Sequence, residues 1–380
     1  MNIVYIVLGI DSAFSSQVVG LLSQLSQSEK IHSIHLCIGL RKNELFPNIE
    51  INSKINIHIF RKYPDYPILI WNTIKELHKT LSLIQLDENT IIHTRNEMTG
   101  WVTYKALAKL KNAQSKLYVD VRGSIKEEIS SFFPGSQISK FFKLILLNKI
   151  VDIYHTANSI NTVSKSLKDY LVRQFEIEQL KFSTIPCLAN KNFLYNIEGR
   201  EEIRKKYGIE QNDIVIVFAS GGINLWQNVN ETVVPLAKKG VKVLNLSKHV
   251  IDHPNVISSY ISYNEMPKYL SAADIGIIFR EQHIVNEVAS PIKFAEYLAC
   301  GLPVVANDGV EQIVDVVQTY GVGTIINNID ELDEKRINNL RKINRQHIAS
   351  IGQRLYSVHG IASSYISQYK KILRNDCHGQ

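Results

Sequence analysis

One segment of the sequence, residues 290–306, carries a full set of signals for a short helix followed at once by a buried strand. Ser290 suits the position before a helix, Pro291 suits its first turn, and Gly301 suits the left-handed residue that ends it. These signals predict a helix over residues 291–300 with an apolar strand directly behind it. The chain is therefore expected to contain a parallel α/β sheet.

The rest of the chain repeats this alternation of short apolar runs and amphipathic segments. Runs such as 2–8 and 116–121 alternate with helical periodicity such as that of 14–27, while 151–163 is expected to hold one or two strands. Such alternation implies parallel sheets joined by right-handed crossovers. The predicted parts are an amino-terminal Rossmann-like domain over 1–186, a linker over 187–198, a carboxy-terminal Rossmann-like domain over 199–355 and a last helical segment over 356–380.

Lys293 occupies an unusual place, because a cation in the first turn of a helix opposes the macrodipole at a cost of roughly 0.3 to 1 kcal/mol. An anion held between the helix start and the ammonium would remove this conflict, and helix N-termini after a strand commonly bind phosphate. Glu296, one turn further along, could then accept hydrogen bonds from sugar or ribose hydroxyls. A solvated surface pair of Lys293 with Glu296 is the alternative, and these residues alone do not choose between the two interpretations.

The segment 296–305, EYLACGLPVV, resembles the donor-binding motif of retaining GT-B glycosyltransferases of the family 4 kind. In that motif a glutamate, seven residues and a second glutamate precede a small-residue tail of the form Gly-x-Pro-Val-Val. The first half departs from the pattern, because Val288 stands eight residues before Glu296 and the nearest acid is Glu287. The resemblance implies that Glu296 contacts the nucleotide ribose and Glu287 the donor sugar.

The resemblance also implies a GT-B fold, in which two Rossmann-like domains face each other across a cleft and the last helix crosses back to the first domain. Relatives place arginine and lysine after the first glycine turn of the second domain, where this chain has Leu225, Trp226 and Gln227. We therefore expect Arg280 and Lys293 to supply the positive charge that binds the diphosphate. The expected donor-binding residues are Gly221, Gly222, Tyr260, Arg280, Glu287, Ser290, Pro291, Lys293 and Glu296.

Charged residues that follow two predicted strands of the amino-terminal half form a second candidate cluster. Arg95 follows one strand, and Asp120 and Arg122 lie at the end of another, where a parallel sheet binds its ligands. The VDVRG pattern resembles a subset of bacterial surface-polysaccharide glycosyltransferases, and Arg122 stands where many family 4 enzymes carry a histidine. We expect Asp120, Arg122 and Arg95 on the catalytic and acceptor side; the alternative is that Arg122 braces a helix by pairing with Asp120 or Glu127.

An apolar stripe at helical spacing, formed by Ile138, Phe141, Phe142, Ile145 and Leu146, runs through a segment that also carries several lysines. Such a stripe is more often part of the core, which is the interpretation that the sequence favours. A basic amphipathic helix lying on an anionic membrane is the alternative.

Composition restricts the partners and the compartment. A net charge of +7 suggests an anionic partner such as a nucleotide sugar, a lipid diphosphate or a membrane; no stacking motif favours nucleic acid. The absence of an apolar window of eighteen residues predicts no transmembrane helix. Scattered cysteines argue for a reducing compartment and against structural zinc. We expect a cytoplasmic protein that can attach peripherally to the inner face of the cell membrane. We expect it to need no cofactor or metal.

Together these features predict transfer of a sugar from a nucleotide-diphosphate donor to an acceptor hydroxyl of a saccharide or lipid-linked saccharide. The resemblance implies retention at the anomeric carbon and a role in cell-surface polysaccharide or glycoconjugate synthesis. Fixed charges and a helix start can stabilise the departing diphosphate without a metal. The alternatives are a GT-B nucleotide-sugar epimerase or phosphorylase and a non-catalytic nucleotide-binding relative.

Overall fold

The computed structural model describes residues 1–47, 52–110, 114–133, 135–220 and 229–374. The chain forms two compact units. The first unit contains Met1–Pro186 together with the chain from Ala362 onward, and the second contains Cys187–Ile361.

The first unit is built on a parallel sheet whose described strands lie in the order β3-β2-β1-β4-β5-β6-β7. Its central strands are almost fully buried because helices cover both faces of a parallel sheet. The strands are β1 (Asn2–Leu8), β2 (Ser33–Leu40), β3 (Ile55–Arg61), β4 (Thr90–Arg95), β5 (Lys116–Val121), β6 (Ser159–Thr162) and β7 (Phe182–Thr184).

The helices of the first unit follow the strands as the alternation predicted. The segment 151–163, which was expected to hold one or two strands, holds one, β6, and Ile153–Thr156 is a short helix. Its apolar residues pack inward from the helix, and a short apolar run does not by itself distinguish a strand from a buried helix. The helices before this point are α1 (Gly20–Leu25), which continues a π-helical turn over Phe14–Val19, α2 (Ile70–Leu81), α3 (Glu97–Leu107), α4 (Ile125–Phe132) and α5 (Gln137–Ile150); they are followed by α6 (Ile153–Thr156) and α7 (Lys165–Phe175).

The second unit repeats the architecture with a parallel sheet in the order β10-β9-β8-β11-β12-β13 among the described residues. Its strands are β8 (Val215–Ala219), β9 (Lys242–Leu246), β10 (Val256–Ser258), β11 (Ile275–Ile278), β12 (Val304–Ala306) and β13 (Gly323–Ile325). Its helices are α8 (Ile197–Lys206), α9 (Val229–Lys238), α10 (Met266–Ala272), α11 (Ile284–Glu287), α12 (Ile292–Ala299), α13 (Glu311–Tyr320), α14 (Glu334–Arg341) and α15 (Arg345–Tyr356). The prediction of an α/β chain with parallel sheets is thus confirmed.

The segment predicted as a linker (187–198) and the described part of the predicted last helical segment (356–380) are both packed into the compact units. Residues 187–198 belong to this unit, since Phe193 is buried in its core and Ala189 forms a bridge with Ser357. The last helix, α16 (Val358–Arg374), begins in the second unit and from Ala362 is part of the first.

Helix α5 corrects the favoured interpretation of its apolar stripe. Leu146 is buried, but Ile138, Phe141 and Phe142 are exposed at 72%, 61% and 42%. The residues that face the core are instead Leu146, Leu147 and Ile150. No helix in the described part of the chain is both long and apolar enough to span a membrane.

Candidate functional site

The start of α12 lies in the second unit, one residue later than predicted. Pro291 occupies the position before the helix, and no side chain caps the first turn. Ser290 does not cap it, because its hydroxyl oxygen accepts a hydrogen bond from the Cys187 backbone N–H at 3.1 Å. Gly301 adopts the predicted left-handed conformation, with φ of +70°. The helix therefore begins with backbone N–H groups that lack a side-chain acceptor, which favours an anion there.

Tyr297 fixes α12 against the sheet. Its hydroxyl accepts a hydrogen bond from the Ala219 N–H at the end of β8, at 2.9 Å. Its ring lies over Gly276 of β11, where any Cβ would overlap the ring. The predicted buried face of Phe294, Tyr297 and Leu298 is confirmed, since all three are almost fully buried.

Lys293 and Glu296 form an ion pair, with 2.6 Å between Nζ and Oε2. The pair is not solvated, because the Glu296 side chain is fully buried and that of Lys293 is 17% exposed. Burial raises the pKa of Glu296, and the Lys293 ammonium and the Tyr263 hydroxyl only partly oppose this shift. The ion pair of Lys293 and Glu296 that the spacing allowed is therefore present, but it is largely buried. The two charges attract each other more strongly there than they would in water.

Arg280 follows β11 at the carboxyl end of the second sheet. Its backbone is clamped by Asn307, whose Oδ1 accepts from the Arg280 N–H at 3.0 Å and whose Nδ2 donates to the Arg280 carbonyl at 2.7 Å. The half-buried guanidinium forms no hydrogen bond or ion pair with any residue that the structure describes. Burial lowers the pKa of Arg280 to about 10, so the group still carries its charge at neutral pH.

The other predicted donor residues are less closely gathered. Glu287 is exposed at the end of the one-turn helix α11, whereas Val288, which stands at the motif position, is fully buried. Tyr260 is 60% exposed, and the Lys248 ammonium lies 5.0 Å from its ring centre. Gly221 and Gly222 lie outside the described residues.

Tyr263 is a neighbour of this site that sequence reasoning missed. Its ring centre lies 5.9 Å from the Lys293 ammonium, and its ring packs on Phe193 at 5.2 Å. Its hydroxyl interacts with Glu296. No local pattern singles out this tyrosine, because the contacts come from three separate stretches of the chain.

In the first unit, Asp120 and Arg122 form a braced cluster at the end of β5. Asp120 is 1% exposed; its Oδ1 accepts from Asn161 Nδ2 at 2.8 Å and its Oδ2 from Arg122 at 3.2 Å. Arg122 also donates to Gln17 Oε1 at 3.2 Å. Burial would raise the pKa of Asp120, but the Arg122 charge and the His93 and Asn161 contacts outweigh it and hold that pKa below its ordinary value. The bracing alternative is therefore present in the structure, and Asp120 lies beneath the surface rather than on it.

His93 lies in the same strand-end stretch as Arg95, but sequence reasoning gave it no role of its own. It is fully buried on β4, with Nδ1 2.6 Å from the Tyr369 hydroxyl of α16 and Nε2 3.6 Å from Asp120. The rings of Tyr5, Tyr118 and Tyr365 surround it. Burial lowers the pKa of His93 and keeps the imidazole neutral. The network joins the last helix to the strand-end cluster.

Arg95 lines a cavity of about 260 Å³ at the carboxyl ends of β1 and β4. Its guanidinium lies 3.6 Å from the Asp11 carboxylate. The neighbouring Asn96 has φ of +70°, which is uncommon for a residue with a side chain, and it caps α3. Arg41, Lys62, Asp11 and Glu44 also line the cavity, so its polar lining carries charges of both signs.

Within the described parts of the chain, no group of three or more His, Cys, Asp or Glu side chains is arranged to hold a metal ion. Residues 223–357, which include α12 and Arg280, match the family model described as the glucosyltransferase 3-like C-terminal domain. The chain is also 25% identical over 197 residues to chitobiosyldiphosphodolichol beta-mannosyltransferase from Candida albicans. That match covers 44% of the chain and 41% of the relative, so the similarity spans less than half the length of the curated protein.

Solved structures resemble the chain over its whole length. Sucrose-phosphate synthase from Thermosynechococcus elongatus superposes with a TM-score of 0.69 at 15% identity, covering 98% of this chain and 99% of that one. A glycosyltransferase from Rickettsia africae gives 0.69 at 16% identity, covering 98% and 99%. HepE from Anabaena, in complex with UDP-glucose, gives 0.67 at 12% identity, covering 98% and 100%. The chain has the GT-B fold, and the resemblance to GT-B glycosyltransferases that the sequence predicted is confirmed.

Proposed function

We propose that the protein transfers a sugar from a nucleotide-diphosphate donor to an acceptor hydroxyl, with retention at the anomeric carbon. The observation that carries this proposal is the uncapped start of α12, with Lys293 in its first turn and Arg280 after the preceding strand β11. Arg280 has a guanidinium without a hydrogen-bond partner among the described residues, and Lys293 opposes the helix macrodipole. Phosphate oxygens supply the negative charge that satisfies the helix start and both cations.

Lys293 and Glu296 then exchange partners when the donor binds. In the structure the two groups neutralise each other at 2.6 Å. Diphosphate oxygens take the place of the carboxylate at the ammonium, and ribose hydroxyls donate to the carboxylate that is released. This exchange keeps the buried Glu296 charge hydrogen-bonded, which is necessary because an unpaired buried charge is costly. It also explains why a donor site holds a shielded ion pair.

The chemical requirement of the reaction is stabilisation of the nucleotide diphosphate as the bond to the sugar breaks. Arg280, Lys293 and the first turn of α12 provide fixed positive charge and aligned N–H groups at that point. Removing one such preorganised group typically lowers turnover by about a hundredfold to a thousandfold. This supports a metal-independent departure of the leaving group.

The acceptor proposal rests on the first unit. Arg95 lines the polar cavity there, and Arg122 is held at the adjacent strand end by the buried Asp120. We assign Arg95 and Arg122 to the acceptor side and give Asp120 the role of positioning Arg122. A saccharide or lipid-linked saccharide of cell-surface polysaccharide or glycoconjugate synthesis fits this set. Support comes from the Candida relative, whose name specifies a dolichol-linked diphosphate sugar.

The test begins with calorimetric titration of UDP and GDP into wild type, Lys293→Met and Glu296→Gln, followed by a donor panel with product analysis by NMR. The control is Lys268→Met, because Lys268 pairs with Glu265 at the same helical spacing but in a partly exposed position. We expect nucleotide affinity to fall at least about tenfold in both site variants, since each loses a charged hydrogen bond, and to be unchanged in the control.

Nucleotide binding equal to wild type in both folded site variants would remove the donor assignment. Sugar isomerisation without an acceptor would identify an epimerase instead. The anomeric coupling in the product decides retention, and an inverted product would refute that part alone.

A further inference from the structure

The first unit exposes a group of large apolar side chains that do not pack in its core. On α5 the exposed residues Ile138, Phe141 and Phe142 lie at helical spacing, while Leu146 and Leu147 face the interior. A stripe at this spacing forms one continuous side of a helix. The helix is thus apolar on two sides, of which only one is covered.

A second segment extends this apolar side. The Tyr66 hydroxyl lies 3.0 Å from the Ser139 hydroxyl of α5, so the loop before α2 is held next to this helix. Further along that loop, after Pro67, Ile68 and Leu69 are exposed at 83% and 38%. We call these two exposed segments the apolar face; it consists of Ile68, Leu69, Ile138, Phe141 and Phe142.

The charges on helix α5 have one sign. Helix α5 contains Lys140, Lys143 and Lys149 and no acidic residue. Lys140 donates to the Ser130 carbonyl and the Lys143 ammonium lies 5.4 Å from the Phe133 ring centre, so both reach along α4 and α5 rather than pair with an acid. Long lysine side chains beside an apolar stripe can place their ammonium groups at a lipid headgroup layer.

The acids of the adjacent helix α4 do not cancel this charge at the surface. Glu127 accepts a hydrogen bond from the Tyr170 hydroxyl of α7 at 3.1 Å. Glu128 is half-buried, and burial raises the pKa of its carboxyl group. The exposed side of α5 is therefore apolar and cationic, while both acids of α4 are half-buried.

We propose that the apolar face docks the protein on an anionic lipid bilayer, with the aromatic and aliphatic side chains in the headgroup boundary and the α5 lysines on the phosphates. Apolar burial and attraction to anionic lipid are the two forces that hold an amphipathic helix in a membrane interface. A second copy of the chain fits less well, because a symmetric contact through this face would bring the α5 lysines close to their own copies.

Co-sedimentation of the full-length protein with phosphatidylglycerol-containing vesicles tests the proposal, with phosphatidylcholine vesicles as the neutral comparison. Phe141→Ser combined with Phe142→Ser should lower partitioning at least about tenfold because the inserted area is lost. Leu180→Ser is the matched control, since Leu180 is 88% exposed in the same unit but outside the apolar face. That control should partition as wild type does.

The charge is tested separately by changing the three α5 lysines to glutamine. This variant should lose binding to phosphatidylglycerol vesicles and should show a weaker dependence on salt than wild type. Wild type that does not bind these vesicles overturns the proposal, as does an equal loss in Leu180→Ser. Analytical ultracentrifugation identifies the other occupant: self-association abolished by the double serine variant, without vesicle binding, assigns the face to a second copy. None of these measurements needs sugar transfer, so they can fail while the proposed function stands.

Discussion

Both units place an arginine at the carboxyl end of a parallel strand, but the two guanidinium groups differ in their hydrogen-bond partners. In the first unit Arg122 is bound by Asp120 at 3.2 Å and by Gln17 at 3.2 Å, and Asp120 is held in turn by Asn161. In the second unit the side chain of Arg280 has no hydrogen-bonding partner among the described residues, although its backbone is clamped on both sides by Asn307. The same topological position thus holds a satisfied charge in one sheet and an unsatisfied one in the other.

We propose that this difference separates groups that stabilise the fold from groups that bind a ligand. A buried charge with a full set of partners resists removal, because its partners are left unpaired. A charge held in place only by its backbone contributes little to stability and remains free to bind an anion. The following predictions test the distinction, beginning with the largest expected effect.

Asp120→Asn should lower the free energy of unfolding by about 3 to 5 kcal/mol, because it removes one partner of a buried ion pair. The folded pKa of Asp120 lies below its unfolded value, so its contribution is present at neutral pH and is lost as the pH falls through the acid range. Urea unfolding at several pH values checks both statements. Glu29→Gln, at an exposed carboxylate of the same unit, should change stability by less than about 0.5 kcal/mol. A stable Asp120→Asn variant would show that the bracing is dispensable.

Arg280→Met should lower turnover by about a hundredfold to a thousandfold, with stability unchanged, since its guanidinium has no hydrogen-bond partner in the described structure to lose. Steady-state kinetics and thermal unfolding measure the two quantities on the same preparation. Arg336→Met provides the control, because Arg336 is a partly exposed arginine of the same unit that pairs with Glu331 at 3.4 Å. Lost stability with normal turnover would reverse the roles assigned to the two strand ends.

Glu97→Gln tests a buried acid of the first unit that has a neutral partner. Glu97 is 2% exposed, the Tyr154 hydroxyl donates to it at 3.1 Å, and burial raises its pKa from 4.5 to about 7. A raised folded pKa means that stability is greatest below pH 4.5 and falls as the pH rises towards 7. Wild type should therefore lose about 3 kcal/mol over this window relative to the variant.

Urea unfolding of wild type and Glu97→Gln across this pH range gives the difference directly. Glu76→Gln, at a partly exposed carboxylate paired with Lys79, is the matched control and should follow wild type. Parallel pH profiles of wild type and Glu97→Gln would contradict the assigned pKa.

Tyr369→Phe should cost about 1 to 3 kcal/mol of stability, because it removes the hydroxyl that bonds the buried His93. Tyr365→Phe is the control: Tyr365 is also buried on α16 and packs on the same imidazole, but its hydroxyl has no hydrogen bond to a described residue. Chemical unfolding of the pair measures the hydroxyl alone. Equal losses would mean that ring packing, not the hydrogen bond, joins α16 to β4.

Several features of the second unit were predictable from local sequence. The end of α12 at Gly301 follows from the need for a left-handed residue, and its buried face follows from the three- and four-residue spacing of Phe294, Tyr297 and Leu298. The start of the helix was predicted one residue early. Ser290 has the chemistry of a cap, but its hydroxyl is taken by the backbone of Cys187, far away in sequence.

Burial was the property that local patterns predicted least well. The spacing of Lys293 and Glu296 allowed their pairing, while the complete shielding of Glu296 depends on surrounding residues such as Tyr263. In α5 the periodicity correctly indicated an amphipathic helix but did not show which side faces the core. A helical stripe records that two sides differ, and only packing decides which of them is covered.

The sequence by itself determined the α/β alternation, the strand ends that carry charge and the helix-to-strand motif around Glu296, because each depends on residues close together in the chain. Tertiary structure alone decided which charges are satisfied. His93 meets Tyr369 across 276 residues of sequence, and Arg122 meets Gln17 across 105. Hydrogen bonds act over about 3 Å in space whatever the separation along the chain, so the partners of a buried polar group are fixed only when the sheets and helices pack.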